Sequence, residues 1–194
     1  MNIEFIKKSI KSYFLFKDIS LQLISISISA LSSFLLFIIL AKFLEVNEFG
    51  KFSYFFAMGY IISIILDFGG KINVLKEVSK SNNKKNKHKI FSISITNIFL
   101  ISSLLYISLF IIFKDILFLS TIFCFSTICF LQICYSFLKG ENKFLNELYY
   151  NLFNRFCIIT VIIIFLYNKP INSNDIFWII GSINIIFFFC YSFF

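Results

Sequence analysis

Six long apolar stretches, cut apart by charge, limit this chain more than any other feature: Ile19–Ala41, Phe52–Gly70, Ile90–Phe113, Ile116–Leu138, Leu148–Asn168 and Ile176–Phe194. Each has about 19 to 24 residues, and a helix of that length, at ~1.5 Å per residue, crosses a hydrocarbon layer ~30 Å thick. Composition agrees, with 59% hydrophobic and 14% charged residues against roughly 25% charged in soluble domains. Thirty Phe, six Gly and one Pro leave no basis for collagen-like, disordered or linker-rich chains. The expected fold is all-α: a polytopic membrane protein with six transmembrane helices forming a single lobe over residues 1–194. The apolar run after Asp18 is too long for a signal-peptide core and lacks a small-x-small cleavage site, so the first span is expected to be retained.

The lysines set an orientation. Lys7, Lys8, Lys11 and Lys17 precede the first span, seven more lie in the loop expected from Lys71 to Lys89, and Lys139 and Lys143 follow the fourth span. The alternate side holds only Lys42, Lys51, Lys114 and Lys169. This asymmetry predicts a cytoplasmic N-terminus, and six spans return the C-terminus to the cytoplasm. In that sense the net charge of +8 is a topology signal and not a nucleic-acid footprint. The Ser79–Lys89 run, which carries the single His88, reads as a solvated loop with an attraction to anionic lipid heads. The sixth stretch reaches Phe194 with no polar tail, which reads as the front part of a longer protein.

Five cysteines show no metal-ligand spacing; Cys124, Cys129 and Cys134 recur every five residues and so walk around a helix as small apolar residues. The chain carries no GxSxG, P-loop, HExxH or paired histidines, so no enzyme, metal or cofactor chemistry is indicated. Polar residues do recur at helical spacing inside the spans. Gln22, Ser25, Ser29 and Ser32 share one face, as do Gln132, Ser136 and Lys139, and Glu147, Asn151 and Arg155. Hydroxyls at such spacing serve helix packing as readily as a wet cavity. Charges narrow the choice, because a centrally placed Asp or Arg costs about 2.5–3.5 kcal/mol and usually faces a bundle interior or a water path. Asp67 and Arg155 are both expected in the cytoplasmic half, paired or facing one hydrated cavity, with snorkelling from a helix end as the plainer alternative. Arg155 is the one arginine beside 17 lysines, and its planar fork clasps phosphate bidentately as lysine cannot. The candidate cavity residues are thus Arg155, Asp67, Gln22, Ser25, Ser29, Asn151, Gln132 and Lys139.

Between Ala41 and Ser79 the sequence carries a basic residue after the first span (Lys42) and a Phe49–Gly50 pair opening the second. Asp67-Phe68-Gly69 ends that span, and Glu77 follows. In these pieces and their places the chain resembles the polysaccharide-biosynthesis flippases, the O-antigen (Wzx-type) branch of the multidrug/oligosaccharidyl-lipid/polysaccharide exporters. Glu45 stands where that family usually has glycine, and Gly70 where an aliphatic residue is common. The resemblance implies one six-helix lobe of a two-lobed exporter of 12 to 14 helices in the bacterial inner membrane. It implies translocation of undecaprenyl-diphosphate-linked oligosaccharide for surface polysaccharide or O-antigen, by alternating access. Its implied partners are the lipid-linked oligosaccharide and membrane lipids, with a polysaccharide polymerase and chain-length proteins as further candidates. No cofactor is implied beyond proton or sodium coupling, for which an intramembrane carboxylate such as Asp67 is suited. The rival readings are a drug or peptidoglycan-precursor exporter of the same superfamily, and a six-helix membrane protein or truncated remnant without transport activity.

Overall fold

A computed structural model describes residues 3–113, 115–168 and 171–192, with side chains for 16–108, 110–111, 115–167 and 171–191. Lys114, Lys169 and the Phe194 end of the sixth stretch lie outside the described residues. Seven helices follow one another among the described residues, with no strand. They are α1 (Ile3–Phe43), α2 (Val46–Asp67), α3 (Gly70–Lys80), α4 (Lys84–Phe113), α5 (Ile116–Gly140), α6 (Phe144–Asn168) and α7 (Ser173–Ser192). Six of them, all but α3, are long and apolar enough to cross a membrane. Large apolar side chains lie exposed on the outer helices, among them Leu23, Phe34, Ile64, Phe99, Leu104 and Ile186, a surface that water would not tolerate in a monomer and lipid solvates.

The departure from the sequence reading is the Lys71–Lys89 stretch: α3 runs to Lys80, α4 begins at Lys84, and only residues 81–83 lie outside a helix. Residues 71–80 belong to a helix, not to a polar loop, because Val74 and Val78 fall one turn apart and both are fully buried. The break before it is built by the Asp-Phe-Gly segment. Phe68 closes α2 in the left-handed region (φ 39°) and Gly69 continues there (φ 77°), a conformation that glycine adopts without steric cost. The Asp67 carboxylate then accepts a hydrogen bond from the Lys71 N–H at 3.1 Å, satisfying one of the orphan donors at the start of α3. Asp115 does the same for α5, accepting from the Leu117 N–H at 2.9 Å.

The most enclosed element is α5. It packs against α2, α3, α4, α6 and α7, while α1 lies mainly on α6 and touches α2 little. Burial brings no hydrophobic gain where the surroundings are lipid, so close packing must hold the helices together. An aromatic cluster supplies it: Phe37 of α1, Phe52 and Phe56 of α2, Phe125 of α5 and Phe177 of α7, with ring centroids 5.1–5.6 Å apart. Gly59 admits the Phe125 ring, since a Cβ there would fall inside it. At the end of the bundle away from α3, Glu48 ties α2 to the start of α7. Its carboxylate accepts from the Ser173 N–H at 3.0 Å and from the Ser173 hydroxyl, while Lys51 donates to it at 2.8 Å.

Candidate functional site

Three of the polar stripes meet in a buried seam where α1, α5 and α6 come together. Glu147 opens α6 and is only 2% exposed. It accepts a hydrogen bond from the Ser25 hydroxyl at 2.8 Å and faces the Lys139 ammonium of α5 at 3.5 Å. One turn along, the Asn151 amide donates to the Ser25 hydroxyl (3.0 Å), the Ser25 carbonyl (3.2 Å) and the Ser29 hydroxyl (2.7 Å). Ser25, Ser29, Lys139 and Asn151 are therefore joined as one network, with Glu147 at its centre. Gln22 lies on the same face of α1, half-buried. Ser32 and Ser136, on the same stripes but outside the seam, bond to carbonyls of their own helix, Ser29 and Gln132 respectively, the usual intrahelical solution for a hydroxyl.

Asp67 and Arg155 are not paired. Asp67 faces the Lys71 ammonium at 3.7 Å, and that ammonium donates to the Gln132 amide oxygen at 2.8 Å. The lysine that opens α3 intercepts the carboxylate because the Phe68–Gly69 turn folds it back within one helical turn. Asp67 instead borders a groove between the α2–α3 break and α4, with Asn73, Ser94 and Asn97. Arg155 borders a separate cavity of about 60 Å³ together with Ser33, Tyr60, Ser63 and Gln132. Gln132 is the one group common to both neighbourhoods: it holds Lys71 and lines the arginine's cavity.

Arg155 is eleven residues into α6, ~17 Å along a helix of ~1.5 Å rise, near its midpoint and far from either end. Its Nε is buried and has no hydrogen-bond partner. The Tyr135 hydroxyl of α5 is likewise buried without a partner. A planar, five-donor cation thus faces hydroxyls and an amide, with no carboxylate facing it among the described residues. Such a site suits a phosphate group.

A family described as polysaccharide biosynthesis protein matches residues 15–194. The chain belongs to that family. The match runs through all six apolar helices, so this polysaccharide biosynthesis protein is a multi-pass membrane protein. No curated protein and no solved structure matches the chain.

The residues that carry the resemblance lie at or near helix ends. Gly69 makes the α2–α3 break, while Phe68 beside it is 88% exposed. Phe49 packs edge-on against Phe37 at 6.3 Å, Gly50 faces open space, and the Lys42 ammonium lies 5.9 Å from the Phe43 ring. Glu77 caps nothing with its side chain, but its carbonyl accepts the Ser81 N–H that ends α3. Spacing alone did not mark Glu48–Ser173, or the Asn154–Asn184 hydrogen bond at 3.2 Å between α6 and α7. Both join residues on different helices, and no periodicity within one helix registers them.

Proposed function

We propose that this chain flips an undecaprenyl-diphosphate-linked oligosaccharide from the cytoplasmic to the outer leaflet of the bacterial inner membrane, serving surface polysaccharide or O-antigen synthesis. It does so as one six-helix lobe of an exporter, with both termini in the cytoplasm as the lysine distribution indicates. The observation that carries the reading is Arg155, held at mid-helix with a buried, unpartnered Nε beside hydroxyls and an amide. A diphosphate cannot cross hydrocarbon without groups that replace its water, and a guanidinium is the side chain best shaped to clasp it.

The cavity around Arg155, about 60 Å³, holds a few waters and no glycan. Transport therefore needs it to open. Its walls include α1 (Ser33) and α2 (Tyr60, Ser63), which meet through Phe37 against Phe52 and Phe56, so parting them breaks ring packing and leaves the polar seam intact. The seam of Ser25, Asn151, Glu147 and Lys139 keeps α1 on α6 while α2 moves.

The test is complementation of a strain lacking its own copy, with surface polysaccharide as the readout. The 194-residue chain and its Lys85→Ala variant restore polysaccharide, and Arg155→Ala does not. Equal export by both variants would overturn the Arg155 assignment. Rescue only by a version carrying a second six-helix lobe would place the function in the longer protein.

A further inference from the structure

On the side of α5 away from Arg155, α4 and α7 flank a groove whose floor is α5. Each packs on α5, and the two meet where the Phe91 ring of α4 lies 6.0 Å from the Tyr191 ring of α7. Two cavities lie along this groove. The one at the α3 end, about 380 Å³, is bordered by His88 of α4, Lys143 of the α5–α6 turn, Asn146 and Tyr150 of α6, and Tyr191 of α7, over the ring of Phe137. The deeper one, about 350 Å³, is mostly apolar and bordered by Ser103 and Ile107 of α4, Phe123 and Phe130 of α5 and Ile185 of α7. From Phe137 to Phe130 is two turns of α5, ~10 Å at 1.5 Å per residue.

The outer cavity carries hydrogen-bonding groups and one lysine, Lys143, with Lys87 close by. Lys143 and Lys87 share a single carboxylate, Glu141, at 2.7 and 3.8 Å, so two ammonium groups face one counter-charge. The Asn146 amide and the two tyrosine hydroxyls add neutral hydrogen-bonding groups suited to a polyol. The inner cavity offers mainly ring and aliphatic surface. A polar, cationic head site followed ~10 Å deeper by an apolar slot reproduces the profile of a phospholipid standing in a leaflet, and basic pockets between spans are a known form of headgroup site.

We propose that the α4–α7 groove binds an anionic glycerophospholipid. Its phosphate lies by Lys143 and His88, its glycerol by Asn146, Tyr150 and Tyr191, and one acyl chain enters the slot between Ile107, Phe130 and Ile185. The occupant is a glycerophospholipid and not the lipid-linked glycan, because the head site has room for a glycerophosphate and not for several sugars. The groove shares no lining residue with the Arg155 cavity. On α6, Tyr150 and Arg155 point ~140° apart at 100° per residue.

The test uses the full chain, reconstituted in nanodiscs with equal phosphatidylglycerol and phosphatidylcholine, re-extracted and weighed by native mass spectrometry. Phosphatidylglycerol is expected to be retained over phosphatidylcholine by about fivefold. Lys143→Ala brings that preference to parity, and Ser103→Phe, which fills the slot, lowers retention of both lipids. Asn146→Ala, at an exposed position, weakens retention without touching the packed core, and Arg155→Ala leaves it unchanged. Equal retention of the two lipids by the wild type, or an unaltered preference in both Lys143→Ala and Asn146→Ala, would overturn the proposal. Displacement of phosphatidylglycerol by an equal amount of undecaprenyl diphosphate would overturn it too, by assigning the groove to the transported lipid.

Discussion

Removing Lys139 should destabilise the bundle more than removing the acid it faces. Glu147 is 2% exposed, whereas the Lys139 side chain is 19% exposed. Lys139→Met leaves a buried carboxylate with the Ser25 hydroxyl as its donor at 2.8 Å and one oxygen that has no partner. Breaking a buried pair in this way costs about 3–5 kcal/mol. Glu147→Met strands an ammonium instead, but one with partial access to water and headgroups, so its cost is lower, about 1–3 kcal/mol. At ~2–4 °C per kcal/mol for a chain of this size, Lys139→Met should melt roughly 6–20 °C below the wild type. The double variant Lys139→Met/Glu147→Met has no buried charge at the seam and forfeits only the hydrogen bond from Ser25, ~1 kcal/mol, so it should recover most of the loss. Trp178, the single tryptophan, packs at a tilt against Phe123 between α7 and α5 with centroids 4.7 Å apart, and its fluorescence during thermal unfolding in detergent gives the readout. A Lys139→Met midpoint within ~2 °C of wild type, or losses that simply add in the double variant, would refute the idea that this pair joins α5 to α6 at the seam.

The α2–α3 break and the α5–α6 turn give two further expectations. Gly69→Ala forces a Cβ into the left-handed region and should cost about 1–2 kcal/mol, while Gly70→Ala, whose nearest neighbours would lie at an ordinary 3.6 Å, should be close to neutral in the same melt; equal losses would argue against the left-handed turn. At Glu141, burial raises the carboxyl, but the Lys143 hydrogen bond and the charges of Lys143, Lys87 and His88 outweigh it and hold it below the ordinary value. Because the folded-state value is the lower one, this carboxylate contributes stability above the ordinary glutamate range, ~4.3, and loses it as pH falls through its depressed value. Melting midpoints measured from pH 7 down to about 3 should drop less steeply in Glu141→Gln than in the wild type, and parallel profiles would show that Glu141 is not the group responsible.

Much of the architecture was legible because bilayer physics acts on local sequence. A stretch long enough to span must be helical to satisfy its own backbone, so Ile116–Leu138 and Ile90–Phe113 announced α5 and α4 without reference to any other residue. The polar stripes were legible for the same reason: Asn151 follows Glu147 at one turn and Ser29 follows Ser25 at one turn, so each pair had to share a face. That the two faces meet was not legible, since nothing in the spacing within α1 refers to α6, 122 residues away. The reading of residues 71–80 as a loop failed because the lysines there outweigh Val74 and Val78 in any average, although those two alone decide which face packs on α5.

What the amino-acid sequence determined by itself was membrane residence, the helices and the charges each would carry into or near the hydrocarbon, because these follow from length, hydropathy and period within single segments. Tertiary structure alone decided which charges meet. Asp67 turns back to Lys71 because Phe68 and Gly69 are left-handed. Glu147 takes Lys139 because α5 and α6 are joined by a tight turn at Asn142 (φ 60°) that sets their ends side by side. Arg155, deep in α6, is left with hydroxyls and an amide. An ion pair in low dielectric depends on a separation of a few ångströms, and that separation is set by how helices pack, which no segment specifies alone.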